Sequence, residues 1–310
     1  MAKISGFSLV RNGVQFDYPF LESWRSLLPL VDELILNIGV SDDASLAVAQ
    51  KFADTEGQGK VKIFETVWPL NDPEKKKSGL ILSEQTNLAL DRCTHDWCFY
   101  LQADEVLHEE DYPAIRAALA TAEKEKTIEA VVFEYCHFYG SFNVIQKTRS
   151  AYRREMRLIR KSSGARSVGD AQSFRKPDGS KLMALLSRAR IFHYGWVRTP
   201  AAMREKTMFM DQLYHGDQNK KSAHAGEIEQ KPHSGDNYLY KRFWGLFEYR
   251  GSHPAVMKTR IADKGWSWDL KKSPFVFSAG DLKKVALDLY ERVTHHRPFE
   301  FKNYQLRRPS

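Results

Sequence analysis

The residues of this chain best placed to do chemistry stand at the end of one apolar run. Trp97-Cys98-Phe99-Tyr100-Leu101 is followed by Gln102, Asp104 and Glu105, then by Glu109, Glu110 and Asp111. An apolar run of that length, rich in aromatics, predicts a buried strand. In an open α/β sheet, ligands sit beyond the carboxyl ends of the strands. Carboxylates placed there can hold a hard divalent cation, and the cation can hold a phosphate. The same acids also suit a turn and a helix start, since Asp111-Tyr112-Pro113 opens the next helical stretch.

Other polar residues fall at comparable places. Arg11-Asn12-Gly13 ends a strand read from Ile4 to Arg11, and Asn37 and Asp43 lie at the end of, and just after, a strand from Glu33 to Ile38. Gln85 and Asn87 lie near the start of a helix from Ile81 to Leu90. Asp170 sits in a basic, glycine-containing loop, where an Asp is also an ordinary turn residue. His193 lies in a strand from Ala189 to Tyr194, followed by Gly195, Trp196 and Arg198. A lone His is often a core residue; Trp196 can stack on a sugar or simply pack, and Arg198 can pair with phosphate or with a surface acid.

The elements that must position these groups alternate. Phe20, Trp24, Leu27, Leu28 and Val31 mark one face of a helix from Pro19 to Val31. Further helices are expected from Ala44 to Phe52 and from Tyr112 to Lys124, with a strand from Val61 to Glu65 and a loop from Val67 to Gly79. Strand–helix alternation over the first 125 residues predicts a mixed, mostly parallel α/β sheet flanked by helices. Beyond Glu129 the rhythm changes: strands run from Ala130 to Tyr139 and Glu155 to Arg160, and Ser162 to Ser180 reads as loop. A helix follows from Pro200 to Leu213, residues Tyr214 to Asn237 read as a polar, exposed excursion, and Leu282, Val285, Ala286, Leu289 and Val293 form one face of a last helix.

Composition narrows the class. The 310 residues are 42% hydrophobic and 28% charged, enough for a sizeable globular core. No run of about 18 apolar residues suggests a membrane span, and no leader pattern stands at the start. Cys93, Cys98 and Cys136 form no C-x-x-C pair and read as buried thiols in a reducing cytosol. The net charge of +8 suits anionic partners without choosing among phosphates, a membrane face or nucleic acid. Phosphate-loop, dinucleotide-fingerprint and nucleophile-elbow motifs are all missing. The basic and aromatic mixture around Phe243, Trp244, Trp266 and Trp268 is read as packing, and no nucleic-acid partner is expected.

Taken together, Leu9 to Gly13, Leu34 to Asp43, Trp97 to Leu107 and His193 to Arg198 resemble the inverting glycosyltransferases of family 2, bacterial type, with the GT-A fold. The resemblance implies a GT-A-like (Rossmann-like) catalytic domain over residues 1–200 and a C-terminal helical extension over 201–310 on the acceptor side. It implies transfer of a sugar from a nucleoside-diphosphate sugar to a hydroxyl of a glycan or glycolipid, inverting by single displacement, with Mn2+ or Mg2+ as cofactor. Asp104 and His193 become the metal ligands. Arg11, Asn12, Asn37, Asp43, Gln85, Asn87, Gln102, Ala103 and Asp104 become donor contacts, Glu105, Trp196 and Arg198 acceptor or sugar contacts, and Asp170 the general base. Gln102 departs from the family's D-x-D, so Asp104 carries more of the metal binding than usual, or the metal matters less. The place of action implied is cytoplasmic, with peripheral contact at the inner face of a membrane. The competing readings are a non-catalytic nucleotide-sugar-binding protein of the same fold and a basic module for RNA or a membrane surface.

Overall fold

Side chains alternate across a strand, so a run apolar at every position must be covered on both faces. The computed structural model, which describes residues 2–216 and 240–307, places such runs inside a mixed sheet. The chain runs through β1 (Ile4–Val10), α1 (Phe20–Leu27), β2 (Glu33–Gly39), α2 (Ser45–Thr55), β3 (Val61–Thr66), α3 (Leu80–Arg92), β4 (Trp97–Tyr100), β5 (Glu105–Leu107) and α4 (Tyr112–Lys124). β1 to β4 are parallel, in the order β3-β2-β1-β4. Along β4, Trp97 and Phe99 pack with α1, α2 and α4, whereas Cys98 and Tyr100 pack with α3 on the other face. α1 is shorter than the apolar stripe suggested. It passes at Leu28–Leu30 into a 3-10 turn, where Pro29 lacks the N–H that a continuing helix needs.

The second half adds β6 (Ala130–Tyr139), β7 (Ser141–Gln146), β8 (Arg154–Arg160), β9 (Arg166–Val168), β10 (Ser173–Arg175), β11 (Met183–Trp196), α5 (Pro200–His215), β12 (Leu246–Glu248), α6 (Lys258–Ala262), α7 (Ala279–Thr294) and β13 (Gln305–Leu306). β8 pairs antiparallel with β4 and with β6. β6 also pairs with β7, which carries β12, and with β11 in parallel. β5 pairs antiparallel with β11, setting Glu105 opposite His193. The result is the expected fold class, a mixed α/β sheet flanked by helices.

Two stretches depart from the sequence pattern. β11 begins well before Ala189, because a register shift between Leu186 and Arg190, with Arg188 at φ +60°, interrupts the alternation. The segment expected as loop from Ser162 to Ser180 carries the small antiparallel pair β9–β10. Residues 217–237 of the polar excursion lie outside the described residues. α7 docks in an unusual way. Its apolar residues Leu282, Leu289 and Val293 are 61%, 50% and 81% exposed. Its acidic side faces the body: Trp244 Nε1 donates to Asp288, and Arg149 and Arg153 donate to Glu291. Among the described residues no helix is long and apolar enough to cross a membrane.

Candidate functional site

The chain leaves β1 through α1 toward β2 on one side, while β4 lies on β1's other side. Connections that depart in opposite directions open a crevice at the carboxyl ends of the two strands. A cavity of about 480 Å³ occupies that place. Arg11 enters its wall from the end of β1 and Gln102, Ala103 and Asp104 from the end of β4. Asp170 comes from the β9–β10 turn, His193, Gly195 and Trp196 from β11, and Lys206, Phe209 and Tyr214 from α5.

Asp104 is the electrostatic centre. Its Oδ2 accepts from Lys206 Nζ at 3.2 Å and lies 3.9 Å from Arg198 Nη2, while Oδ1 faces His193 Nε2 at 3.7 Å. Burial pushes the carboxyl's pKa up, but Lys206, His193 and Arg198 outweigh burial and hold it ionised, well below the usual carboxylate range. Lys206 also donates to the Gly195 carbonyl at 2.9 Å. Burial, reinforced by Arg198, lowers its ammonium to about 8. Gly195 lets these groups close up: a Cβ there would stand 2.6 Å from the His193 ring and 3.0 Å from Asp104 Oδ2, so the side chains would have to shift.

A second histidine decides how His193 presents itself. His137 Nε2 lies 2.7 Å from the Tyr152 carbonyl, which only accepts, so this nitrogen carries the proton. His137 Nδ1 is then bare and accepts from His193 Nδ1–H at 3.0 Å. In a neutral His193 this assignment leaves Nε2 with its lone pair toward Asp104. Burial disfavours the charged form of both rings: it lowers His137, with help from the neighbouring ring, to about 3. It also lowers His193, against the opposing pull of Asp104 and Glu105.

Asp170 reaches the cavity because its turn is tied down. Asn87 Nδ2 donates to the Ser167 carbonyl at 3.0 Å and Oδ1 accepts from the Ser167 N–H at 2.9 Å, fastening β9 to α3. Tyr214 OH donates to Asp170 Oδ2 at 2.9 Å. Gly79, at φ +70°, lets the start of α3 approach; a Cβ there would meet the Asp170 Cβ at 2.9 Å.

The structure thus gathers Arg11, Gln102, Ala103, Asp104, Asp170, His193 and Trp196 around one cavity. The remaining expected contacts are not in its wall, and each has a physical reason. Asn37 donates to Gln85, and the Thr66 hydroxyl lies 2.6 Å from both side-chain oxygens with its one proton between them, so the two amides form a buried cluster. Asn12 Oδ1 accepts from the Asp42 N–H, and Asp43 accepts from the backbone of Gln15 and Ser45; these contacts lace the β1 and β2 turns together. Burial would raise Asp43's pKa, but bonds from Ser45, Gln15 and Val14 lower it. Asn87 is engaged with Ser167. Glu105, expected at the acceptor, is a fully buried strand residue. Arg157 clasps it through two bonds of 2.8 Å, and Tyr135 OH donates to it at 2.8 Å. Arg198 is fully buried behind the wall, against the Tyr18 ring at 4.5 Å from its centroid.

Sequence reasoning missed Lys206, His137 and Tyr18. Lys206 sits in a helix with charged neighbours, Arg204 and Glu205, and nothing in its spacing sets it apart. His137, two residues before Tyr139 in a long strand, pairs in register with His193, a coincidence visible only once β6 and β11 are aligned.

A divalent ion has two donors here, Asp104 Oδ1 and His193 Nε2. Among the described residues no third His, Cys, Asp or Glu completes a cluster. An oxygen and an imidazole nitrogen suit Mn2+ or a similar ion, provided a ligand or water supplies further oxygens. The residues therefore fit an open metal site, one completed by an anionic ligand.

No protein-family model matches the chain, and no curated protein matches it. Solved structures do. S. aureus TarS matches at 13% identity over 73% of this chain and 42% of that chain, with TM-score 0.39. This chain thus spans less than half of the length of that one. The mannosyltransferase PcManGT from Pyrobaculum calidifontis, in complex with GDP-Man and Mn2+, matches at 14% identity over 42% of this chain and 34% of that chain, TM-score 0.32. GalNAc-T7 with UDP, GalNAc and Mn2+ matches at 14% identity over 44% and 23%, TM-score 0.32.

Proposed function

We propose that this protein is a glycosyltransferase of the family 2 kind. It moves a hexose-type sugar from a nucleoside-diphosphate sugar to a hydroxyl of a glycan or glycolipid, with inversion at the anomeric carbon. The observation that carries the reading is the meeting of Arg11, Gln102, Asp104 and His193 at the ends of β1, β4 and β11, with Asp170 on the same cavity wall. A cleft lined by Tyr18, Trp68, Trp196 and Phe209 gives apolar faces on which a base or a sugar ring can stack.

The chemistry needs few groups. The acceptor oxygen forms a bond to the anomeric carbon while the bond from that carbon to the diphosphate oxygen breaks. The bonding pair leaves with the diphosphate, and the acceptor proton passes to a base. Asp170, whose Oδ2 is oriented by Tyr214, is the base in this reading. Arg11 and Gln102 contact the nucleotide or diphosphate, and Trp196 the sugar. Asp104 and His193 hold Mn2+ or Mg2+. When bound, such an ion lowers the cost of the charge that develops on the diphosphate. Residues 1–200 form the catalytic part and 201–310 the acceptor-side part, which lends Lys206, Phe209 and Tyr214 to the cavity. The protein works in the cytoplasm, peripherally at the inner face of a membrane. The outward apolar stripe of α7, with Lys283 and Arg292 close by, is its contact with anionic lipid. Co-sedimentation with anionic vesicles, lost in Leu289→Asp, tests that placement.

The test of the activity is calorimetry with UDP- and GDP-sugars in the presence of Mn2+, followed by transfer assays on an acceptor panel. Asp104→Ala should abolish metal-dependent donor binding without unfolding the protein, and Asp170→Asn should slow transfer at nearly unchanged donor affinity. Full donor affinity in Asp104→Ala overturns the role of Asp104. The absence of any nucleotide-sugar binding to the unmodified protein overturns the function.

A further inference from the structure

The charges around Asp104 do not balance. Lys206 and Arg198 both turn to this one carboxylate, and among the described residues neither lies within ion-pair distance of another. Among these three groups one positive charge is left over, beside the cavity that Lys206 lines. An uncompensated buried charge is costly. Such a surplus suits an anion.

Two details say how that anion is met. Arg198 is fully buried, and among the described residues none of its side-chain nitrogens makes a hydrogen bond. An ammonium has three donors. Lys206 commits its ammonium to Asp104 and the Gly195 carbonyl, and it lines the cavity, whereas Arg198 does not. Both cations flank the Tyr18 ring, Arg198 at 4.5 Å and Lys206 at 5.0 Å from its centroid, which keeps them close despite their like charge.

We propose that Lys206, backed by Arg198, is a built-in cationic clamp for a diphosphate, so that the diphosphate binds this site without any divalent ion. A metal on Asp104 and His193 adds to that binding and does not create it. Lys206 is the contacting group, and Arg198 is a positioning residue that acts through Asp104 and Tyr18. The inference rests on the nucleotide-sugar reading of the cavity, and it names a residue for the leaving group's charge that the strand-end motifs do not contain.

The experiment is calorimetry on the full chain with inorganic pyrophosphate, UDP and GDP, each in EDTA and each with Mn2+. Pyrophosphate and a nucleoside diphosphate should bind in EDTA. Lys206→Met should weaken that binding by about 10- to 100-fold, the worth of a charge-assisted hydrogen bond. Lys206→Arg should restore most of it, and Lys51→Met, on the exposed face of α2, should change nothing. Circular dichroism melts show whether the variants fold; if Lys206→Met does not, Lys206→Gln takes its place. Binding that appears only with Mn2+, or that ignores Lys206, overturns the clamp and leaves the transferase reading standing. Pyrophosphate binding in EDTA that depends on Lys206, with no nucleotide sugar bound under any condition, upholds the clamp and removes the transferase reading.

Discussion

Removing the Glu105 carboxylate should destabilise the whole protein rather than weaken a contact with an acceptor. Glu105 and Arg157 are both fully buried and joined by two bonds of 2.8 Å, Arg157 Nε to Oε2 and Nη2 to Oε1. Tyr135 OH at 2.8 Å and the Gln102 N–H at 3.1 Å complete the shell. Deleting one partner of such a pair strands the other charge and costs about 3–5 kcal/mol. An unfolding entropy of roughly 2.1 cal/mol/K per residue, over 310 residues, gives about 0.65 kcal/mol/K. The melting temperature of Glu105→Gln should therefore fall by about 5–8 °C. The double variant Glu105→Leu with Arg157→Met removes both charges together and should cost less than either single change. Scanning calorimetry of Glu105→Leu, Arg157→Met and the double measures all three terms. A Glu105→Gln melting point within about 2 °C of the parent, or a double variant that simply sums the singles, refutes the argument.

Other consequences are as direct. Gly195→Ala puts a Cβ 2.6 Å from the His193 ring, so it should fold but lose Mn2+ affinity, read by electron paramagnetic resonance titration; unchanged affinity would mean the ring position is not critical. Asn87→Ala deletes the paired bonds to Ser167, about 1 kcal/mol each, and should speed amide exchange over residues 166–175 in hydrogen-exchange mass spectrometry. Burial would raise Glu33, but bonds from Lys62, Ser5 and Thr94 lower it from 4.5 to about 2. Its contribution is thus in place above about pH 4.5 and is lost as the pH falls toward 2. Urea unfolding from pH 6 downward should show a flatter acid limb in Glu33→Gln than in the parent.

The parallel half of the fold is legible in the sequence because short strands with apolar runs, β4 most clearly, alternate with amphipathic helices. Two periodicities, in alternation, leave few arrangements. The strand ends are legible for the same reason: Arg11, Gln102 and Asp104 are polar residues that follow buried runs, and they reach the cavity together with His193, which stands inside β11. What is hidden depends on pairing between distant segments. Glu105 looks like a turn acid until Arg157, 52 residues on, is brought beneath it. Asn37 and Gln85 look like donor contacts until each is seen to satisfy the other. His137 and Lys206 carry no local mark, since their roles come from β6 lying beside β11 and from α5 crossing the cavity. α7 has a readable apolar stripe, but periodicity gives a face and no direction, and Arg149 and Arg153 turn that face outward.

The hydrogen-bond relay behind His193 starts from a backbone atom. The Tyr152 carbonyl sets the proton on His137, and His137 sets it on His193, so position 152 governs whether the imidazole nitrogen facing Asp104 carries a proton. Every amino acid has that carbonyl. The Tyr152 side chain, meanwhile, lines the cavity. Mutation at 152 can therefore reshape the pocket while the tautomer two rings away is inherited unchanged. The position is a place where ligand preference can drift without a toll on the Asp104–His193 pair, and position 137 is not.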